Sequence, residues 1–152
     1  MKNKVINVFV LITALFGMSS CLSSKSTIIS SGINLSDYKY IVFAKEDNGD
    51  AELADILMMV QNELSGKLEV LSPLKAQQLL EEGKKILSPR ISVKSEKWDG
   101  GHTYISISFY DYDTNQSVAV VKSSGIGFSI SQDQRLAFSA IKKELNKVFM
   151  YK

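Results

Sequence analysis

Cysteine, histidine and tryptophan each occur once in these 152 residues, and proline occurs twice. A single cysteine excludes a disulfide framework within the chain. One histidine beside one cysteine leaves little material for a Cys–His pair, a His-rich metal site or a Ser-His-Asp relay, so no metal, no cofactor and no catalysis are expected. With glycine at only nine positions and no third-residue repeat, collagen is excluded. A hydrophobic share of 45% with 22% charged residues excludes wholesale disorder. No heptad pattern runs along the chain, and the length suits one domain.

What is present begins at the amino end. Lys2 and Lys4 precede an almost wholly apolar run from Val5 to Met18, followed by Ser19, Ser20 and then the lone Cys21. A positive start, an apolar middle and small residues at the end are the three parts of an export signal. The run would form a helix of roughly 21 Å against a hydrocarbon core of about 30 Å, too short for a comfortable permanent span. Met18-Ser19-Ser20-Cys21 resembles the lipobox of bacterial lipoproteins, although Met18 stands where leucine is commoner. The resemblance implies cleavage before Cys21 and acylation of that residue. One acyl chain holds a protein only marginally, whereas two or three hold it firmly. Leu22 after Cys21 is not the Asp that resembles an inner-membrane retention signal, which favours the outer membrane, facing the periplasm.

Removing Lys2 and Lys4 from the 18 basic residues leaves 16, against 16 acidic residues. The mature chain is then neutral, which gives no argument for nucleic acid. The expected division is a signal peptide over 1–20, Cys21 with a Ser-rich tether over 21–34, and one domain over 35–152.

Within the domain, Tyr38–Ala44 is aromatic and β-branched and reads as a strand. Asp50 is a plausible cap for a helix whose apolar residues are Leu53, Ile56, Leu57, Val60 and Leu64, with Gly66 at its end. Leu68–Leu71 reads as a short strand. Ser72-Pro73 opens a second helix with Leu74, Leu79 and Leu80 on its apolar side, ended by Gly83. Period-two alternation then marks an antiparallel meander: Ile91 and Val93; Ile105, Ile107 and Phe109; and Val118, Val120, Ile126, Phe128 and Ile130. Gly125 and Gly127 suggest a bulge or bend. Ser131 and Gln134 stand at capping-box spacing before a last helix with Ala137, Ile141, Leu145 and Val148 as its buried stripe. The order β-α-β-α-β-β-β-α predicts an α+β (mixed α/β) domain. Its mixed sheet should carry helices mainly on one face, with the first two strands parallel.

Five patterns are candidate sites. Asp111-Tyr112-Asp113-Thr114-Asn115 imitates the start of a calcium loop, but Gln116 and Lys122 replace the required Gly and acid, so a hairpin turn is expected. Ser-x-x-Lys pairs such as Ser72/Lys75 lack the companion motifs of penicillin-binding enzymes. Ser123-Ser124-Gly125-Ile126-Gly127 lacks a phosphate-loop signature. Trp98, Asp99 and His102 share one loop, where an Asp–His pair would be the basis of a small hydrolase and an aromatic loop the basis of a binding contact. Tyr104, Tyr110 and Tyr112 alternate with Ser106 and Ser108 onto one sheet face, a composition suited to recognition. The candidate binding residues are therefore Tyr104, Tyr110, Tyr112, Trp98 and His102.

The lipobox, the tether and the element order resemble small envelope lipoproteins. In particular the domain is similar to the curli-secretion and penicillin-binding-protein-activator lipoproteins, related to the amino-terminal domain of TolB. The resemblance rests on element order over residues 35–149 and implies binding to envelope partners without catalysis. The expected function is a non-catalytic, membrane-anchored envelope lipoprotein that binds a protein or glycan. The alternatives are a small hydrolase using Asp99 and His102, or a structural envelope subunit that self-associates.

Overall fold

The computed structural model describes residues 22–44, 51–96 and 101–149. The export signal, Cys21, the 45–50 turn with Asp50, and Trp98 and Asp99 lie outside the described residues. The elements are β1 (Leu22–Ile29), a 3-10 turn (Leu35–Asp37), β2 (Tyr40–Ile41), α1 (Ala51–Ser65), β3 (Glu69–Val70), α2 (Pro73–Glu81), β4 (Ile86–Glu96), β5 (His102–Asp111), β6 (Ser117–Ile126) and α3 (Ile130–Phe149). They form an α+β fold around one six-stranded sheet of order β1-β6-β5-β4-β2-β3. β2 runs parallel to β3 and β4, while the pairs β4–β5, β5–β6 and β6–β1 are antiparallel.

The stretch read as a tether is instead an edge strand. All eight residues of β1 pair with β6, from Leu22 opposite Ile126 to Ile29 opposite Ala119. Side chains fasten it further. Thr27 Oγ1 donates to Glu144 on α3 at 2.9 Å, and Ser24 and Ser124 hydroxyls meet at 2.8 Å. A strand gains its main-chain ladder whatever its side chains, so a Ser-rich segment can join a sheet edge without apolar alternation. The ordered domain therefore starts by Leu22, not near residue 35. Its order departs by one strand from the one on which the lipoprotein resemblance rests.

The main core lies between the sheet and helices α1 and α3. Ile56, Val60 and Leu64 from α1, and Ala137, Ile141 and Leu145 from α3, meet Leu87, Ile105, Ile107, Phe109, Ala119 and Val121. α2 packs on the opposite face at the β2–β3 end, where Ala76 joins Val42, Leu71 and Ile86. Ser72 caps α2, accepting from the Lys75 N–H at 3.3 Å. Leu74 does not belong to the apolar side of α2 and is 72% exposed; Ala76 is the buried residue there.

β4 starts at Ile86, five residues before Ile91, and carries Pro89 opposite Phe109. β2 pairs with β4 at Ile86 and Leu87, so Pro89, which has no N–H to give, lies beyond the residues of β4 that this ladder pairs. The expected strand over 38–44 narrows to Tyr40 and Ile41, with the Val42 N–H donating to Leu87 O at 2.9 Å.

The phase of β6 also differs. A register shift at Phe109/Tyr110 places Val118 and Ala119 together in the core. Beyond it Val121 and Ser123 point inward, while Val120 is on the outer face opposite Ser108. Gly125 is not a bulge. A Cβ there would lie 2.3 Å from Asp133 O and 2.6 Å from Ala137 N, so the glycine lets the α3 backbone rest on the strand. Ser123 Oγ donates to Ala137 O at 2.8 Å across the same contact. β6 ends at Ile126, so Phe128 and Ile130 do not continue its alternation. The cap of α3 sits two residues earlier than Ser131/Gln134. Ser129 Oγ accepts from Gln132 N at 3.3 Å, and Gln132 Oε1 accepts from the Phe128 N–H at 3.1 Å.

Candidate functional site

The face of the meander opposite α1 and α3 is built row by row across four strands. One row reads Ser24, Ser124, Tyr104, Lys94; the next Ser26, Lys122, Ser106, Ser92; the next Ile28, Val120, Ser108, Arg90. Tyr104 is 40% exposed and Tyr110 is half-buried. The Arg90 guanidinium lies 4.7 Å from the Tyr110 ring centroid, a cation–π contact that holds both side chains in place. Tyr104 meets His102 edge to face at 5.6 Å, and its hydroxyl is 3.2 Å from His102 Nδ1. His102 also lies 4.0 Å from Glu96 at the end of β4.

The structure therefore brings Tyr104, Tyr110 and His102 onto one face. It removes Tyr112 from that stripe. Tyr112 follows β5, donates its N–H to Ile86 O at 2.9 Å and packs half-buried against the cluster beneath α2. Trp98 and Asp99 lie outside the described residues. Arg90, Lys94 and Lys122 join the face, and only the strand register assembles them. Arg90 and Lys94 could have been read from the alternation around Ile91 and Val93. Lys122 could not, because the bulge inverts the phase of β6.

The other patterns resolve into structure. Asp111 closes the β5–β6 turn: its Oδ1 accepts from the N–H groups of Asp113 at 3.1 Å and Thr114 at 2.9 Å. Its Oδ2 accepts from the Tyr38 hydroxyl at 2.9 Å. Burial pushes the Asp111 carboxyl up, but these hydrogen bonds outweigh it and hold the group below the usual carboxylate range. The phenol of Tyr38 is pushed up to about 12, first by burial and then by the hydrogen bond and charge of Asp111. Among the described residues no group of three or more His, Cys, Asp or Glu side chains could hold a metal ion.

A hollow of about 470 Å³ lies behind β1, lined among others by Ile29, Leu35, Tyr38, Leu68, Val148 and Phe149. At its rim is buried Glu144, which accepts from Thr27 and from Lys147 at 2.9 Å and lies 3.5 Å from Lys25. The Lys147 hydrogen bond is the main reason its carboxyl lies below the usual range, against the opposing effect of burial. These groups are already paired with one another, so they knit β1 to α3. Asp133, in the first turn of α3, is fully buried, and neither of its carboxylate oxygens has a hydrogen-bond partner among the described residues. No described helix is long and apolar enough to cross a membrane.

The fold is thus an α+β domain with a half-open, tyrosine-bearing basic sheet face. No protein-family model matches the chain, and no curated protein matches it. Among solved structures, a dodecamer of PelC from Paraburkholderia phytofirmans is similar with a TM-score of 0.52 and 16% identity over 84% of this chain and 99% of that one. A PDZ domain protein from Parabacteroides distasonis is similar with a TM-score of 0.51 and 10% identity over 91% of this chain, which spans 39% of that longer protein. At such identities the likeness is one of fold.

Proposed function

We propose that this chain is a non-catalytic envelope lipoprotein, anchored through Cys21, whose open sheet face binds a protein or glycan partner. The observation that carries the binding role is the composition of that face. Tyr104 and Tyr110 stand about 20 Å apart along β5, at about 3.4 Å per residue, with serine hydroxyls between them. Tyrosine offers contact area at low rotamer cost, and Arg90 already holds Tyr110 in position. Arg90, Lys94 and Lys122 against Glu96 give the face a positive balance, which favours a partner carrying negative charge.

The test is capture of envelope components by the lipidated protein and its variants. Tyr110→Ala is expected to weaken capture by at least about 1 kcal/mol while leaving the melting temperature little changed. Unchanged capture by the Tyr104→Ala and Tyr110→Ala variants alike would reduce the face to a solvated surface. The hydrolase alternative turns on His102→Ala: a hydrolase would lose turnover, whereas a binder would change only if His102 touches the partner. Mass spectrometry of the mature protein tests the anchor. The expected amino terminus is acylated Cys21 with no residue before it, and a free thiol at that position would overturn the lipoprotein reading.

The second reading, self-association as a structural subunit, is favoured by β1. It lies at the edge of the sheet for eight residues, a ready template for pairing with another strand. Light scattering on the purified protein separates it from the first reading.

A further inference from the structure

The chain outside the structure ends at Cys21, and the next residue is already the first of β1. Consecutive Cα atoms are about 3.8 Å apart, so an acylated Cys21 cannot hold the domain at a distance from the bilayer. The end of the sheet at Leu22 has to lie at the lipid surface. That end is apolar. Leu22 pairs with Ile126, and the chain then passes through Phe128 to Ile130, the first residue of α3. Leu22 is 58% exposed, Phe128 75% and Ile130 38%. Neither Leu22 nor Phe128 nor Ile130 belongs to either hydrophobic cluster of the fold. Apolar side chains scattered singly over a surface are ordinary; several gathered at one corner beside an anchor mark a contact.

We propose that this corner, formed by Leu22, Ile126, Phe128 and Ile130, is a membrane-contact surface that seats the domain in a fixed orientation on the bilayer to which Cys21 is attached. The proposal rests on acylation of Cys21. The occupant is the lipid interface: the acyl chains enter the hydrocarbon next to Leu22, and the flanking side chains enter the headgroup and acyl boundary, about 5–10 Å deep. The strands of the meander then run away from the membrane. The β5–β6 turn, at the far end of the sheet, points toward water, and the Tyr104–Tyr110 face stands side-on to the bilayer, open to a partner.

The experiment uses the full-length, processed protein in vesicles of phosphatidylethanolamine and phosphatidylglycerol. A nitroxide is attached at Phe128→Cys or, as the water-facing control, at Thr114→Cys in the β5–β6 turn. Both positions are exposed, so the labels leave the core untouched. Acylation at residue 21 is first verified by mass spectrometry, which also shows that no other thiol takes the label. Collisions with oxygen, which partitions into lipid, are compared with collisions with a water-soluble nickel chelate. The label at 128 is expected to lose access to nickel and gain access to oxygen relative to the label at 114. If both labels read as aqueous on protein whose Cys21 is acylated, the corner does not touch lipid and the proposal falls while the anchor stands. A free thiol at residue 21 sinks the anchor itself, and this proposal with it. Spin–spin broadening at 128 that grows with protein density, without oxygen access, would assign the corner to a second copy of the chain and overturn the lipid contact.

Discussion

Ser106 and Ile107 are adjacent in the chain and face opposite media. Ile107 is fully buried between the sheet and the helices, while Ser106 sits in a row of hydroxyls and a lysine on the open face. Ile107→Ala is expected to cost about 2–5 kcal/mol in a urea melt, as buried aliphatic truncations do. Ser106→Ala should stay within about 0.5 kcal/mol. Equal effects would contradict the assignment of the two faces. Gly125 presents the opposite steric problem, since the atoms a methyl group would strike belong to the α3 backbone and cannot rotate away. Gly125→Ala is expected to destabilise by about 1–3 kcal/mol, the range of overpacking. Gly66→Ala is the control, with no neighbouring atom closer than 3.6 Å to the added carbon.

At the scale of elements, α3 shows how a capping signal is decided. Ser131/Gln134 and Ser129/Gln132 share the same spacing, and both precede an apolar stripe. The bonds form at the earlier pair because Ile130 already lies in the helix. Ser129→Ala is expected to lower stability by about 1 kcal/mol and Ser131→Ala to be nearly silent, read from urea midpoints at constant slope. The reverse ranking would move the cap. β1 illustrates a different competition. Its LSSKSTII sequence has the composition of a linker, and only the free edge of β6, with Glu144 waiting behind Thr27 and Lys25, turns it into a strand. Nothing within residues 22–29 announces that edge. Helices α1 and α3, by contrast, are legible because each carries its own periodicity: Ile56, Val60 and Leu64, and Ala137, Ile141 and Leu145, are buried as their spacing requires.

For the whole molecule, ionisation links distant parts of the fold to its stability. The carboxyl of Asp111 in the β5–β6 turn lies below the usual range, as described above, and so does that of Glu144 on α3. Glu63 on α1 joins them: burial raises its carboxyl, but Lys142 and Lys67 outweigh that. A carboxylate whose folded pKa lies below its unfolded value adds stability above the unfolded value, near 4, and that contribution is lost as the pH falls through the folded value. Tyr38 works from the other side. Its raised phenol contributes fully below its ordinary value of 10.0, and the contribution disappears as the pH rises toward about 12. Urea midpoints measured against pH are expected to form a plateau through neutrality, falling below about pH 4 and again above about pH 10. A profile that rises on acidification would show that these carboxylates are not paired in solution.

By itself the amino-acid sequence determined what local chemistry can determine: the periods of α1, α3 and β5, the Ser72-Pro73 start of α2, the polar turn after Asp111, and the α+β class. Its apolar run, Ser19, Ser20 and lone Cys21 supplied the expectation of an anchor. Tyr104 and Tyr110 were legible as a candidate face because alternation along one strand needs no partner to be seen. Tertiary structure alone decided everything that depends on a neighbouring strand or helix. It drew residues 22–29 into the sheet, shifted the phase of β6 with a bulge so that Lys122 joined Arg90 and Lys94, and folded Tyr112 away beneath α2. It also gathered Leu22, Ile126, Phe128 and Ile130 at one corner. Such contacts are made between segments a hundred residues apart and more, as Ser24 and Ser124, or Thr27 and Glu144, are. No local period records them, because the energy that fixes them belongs to the pair and to neither segment alone.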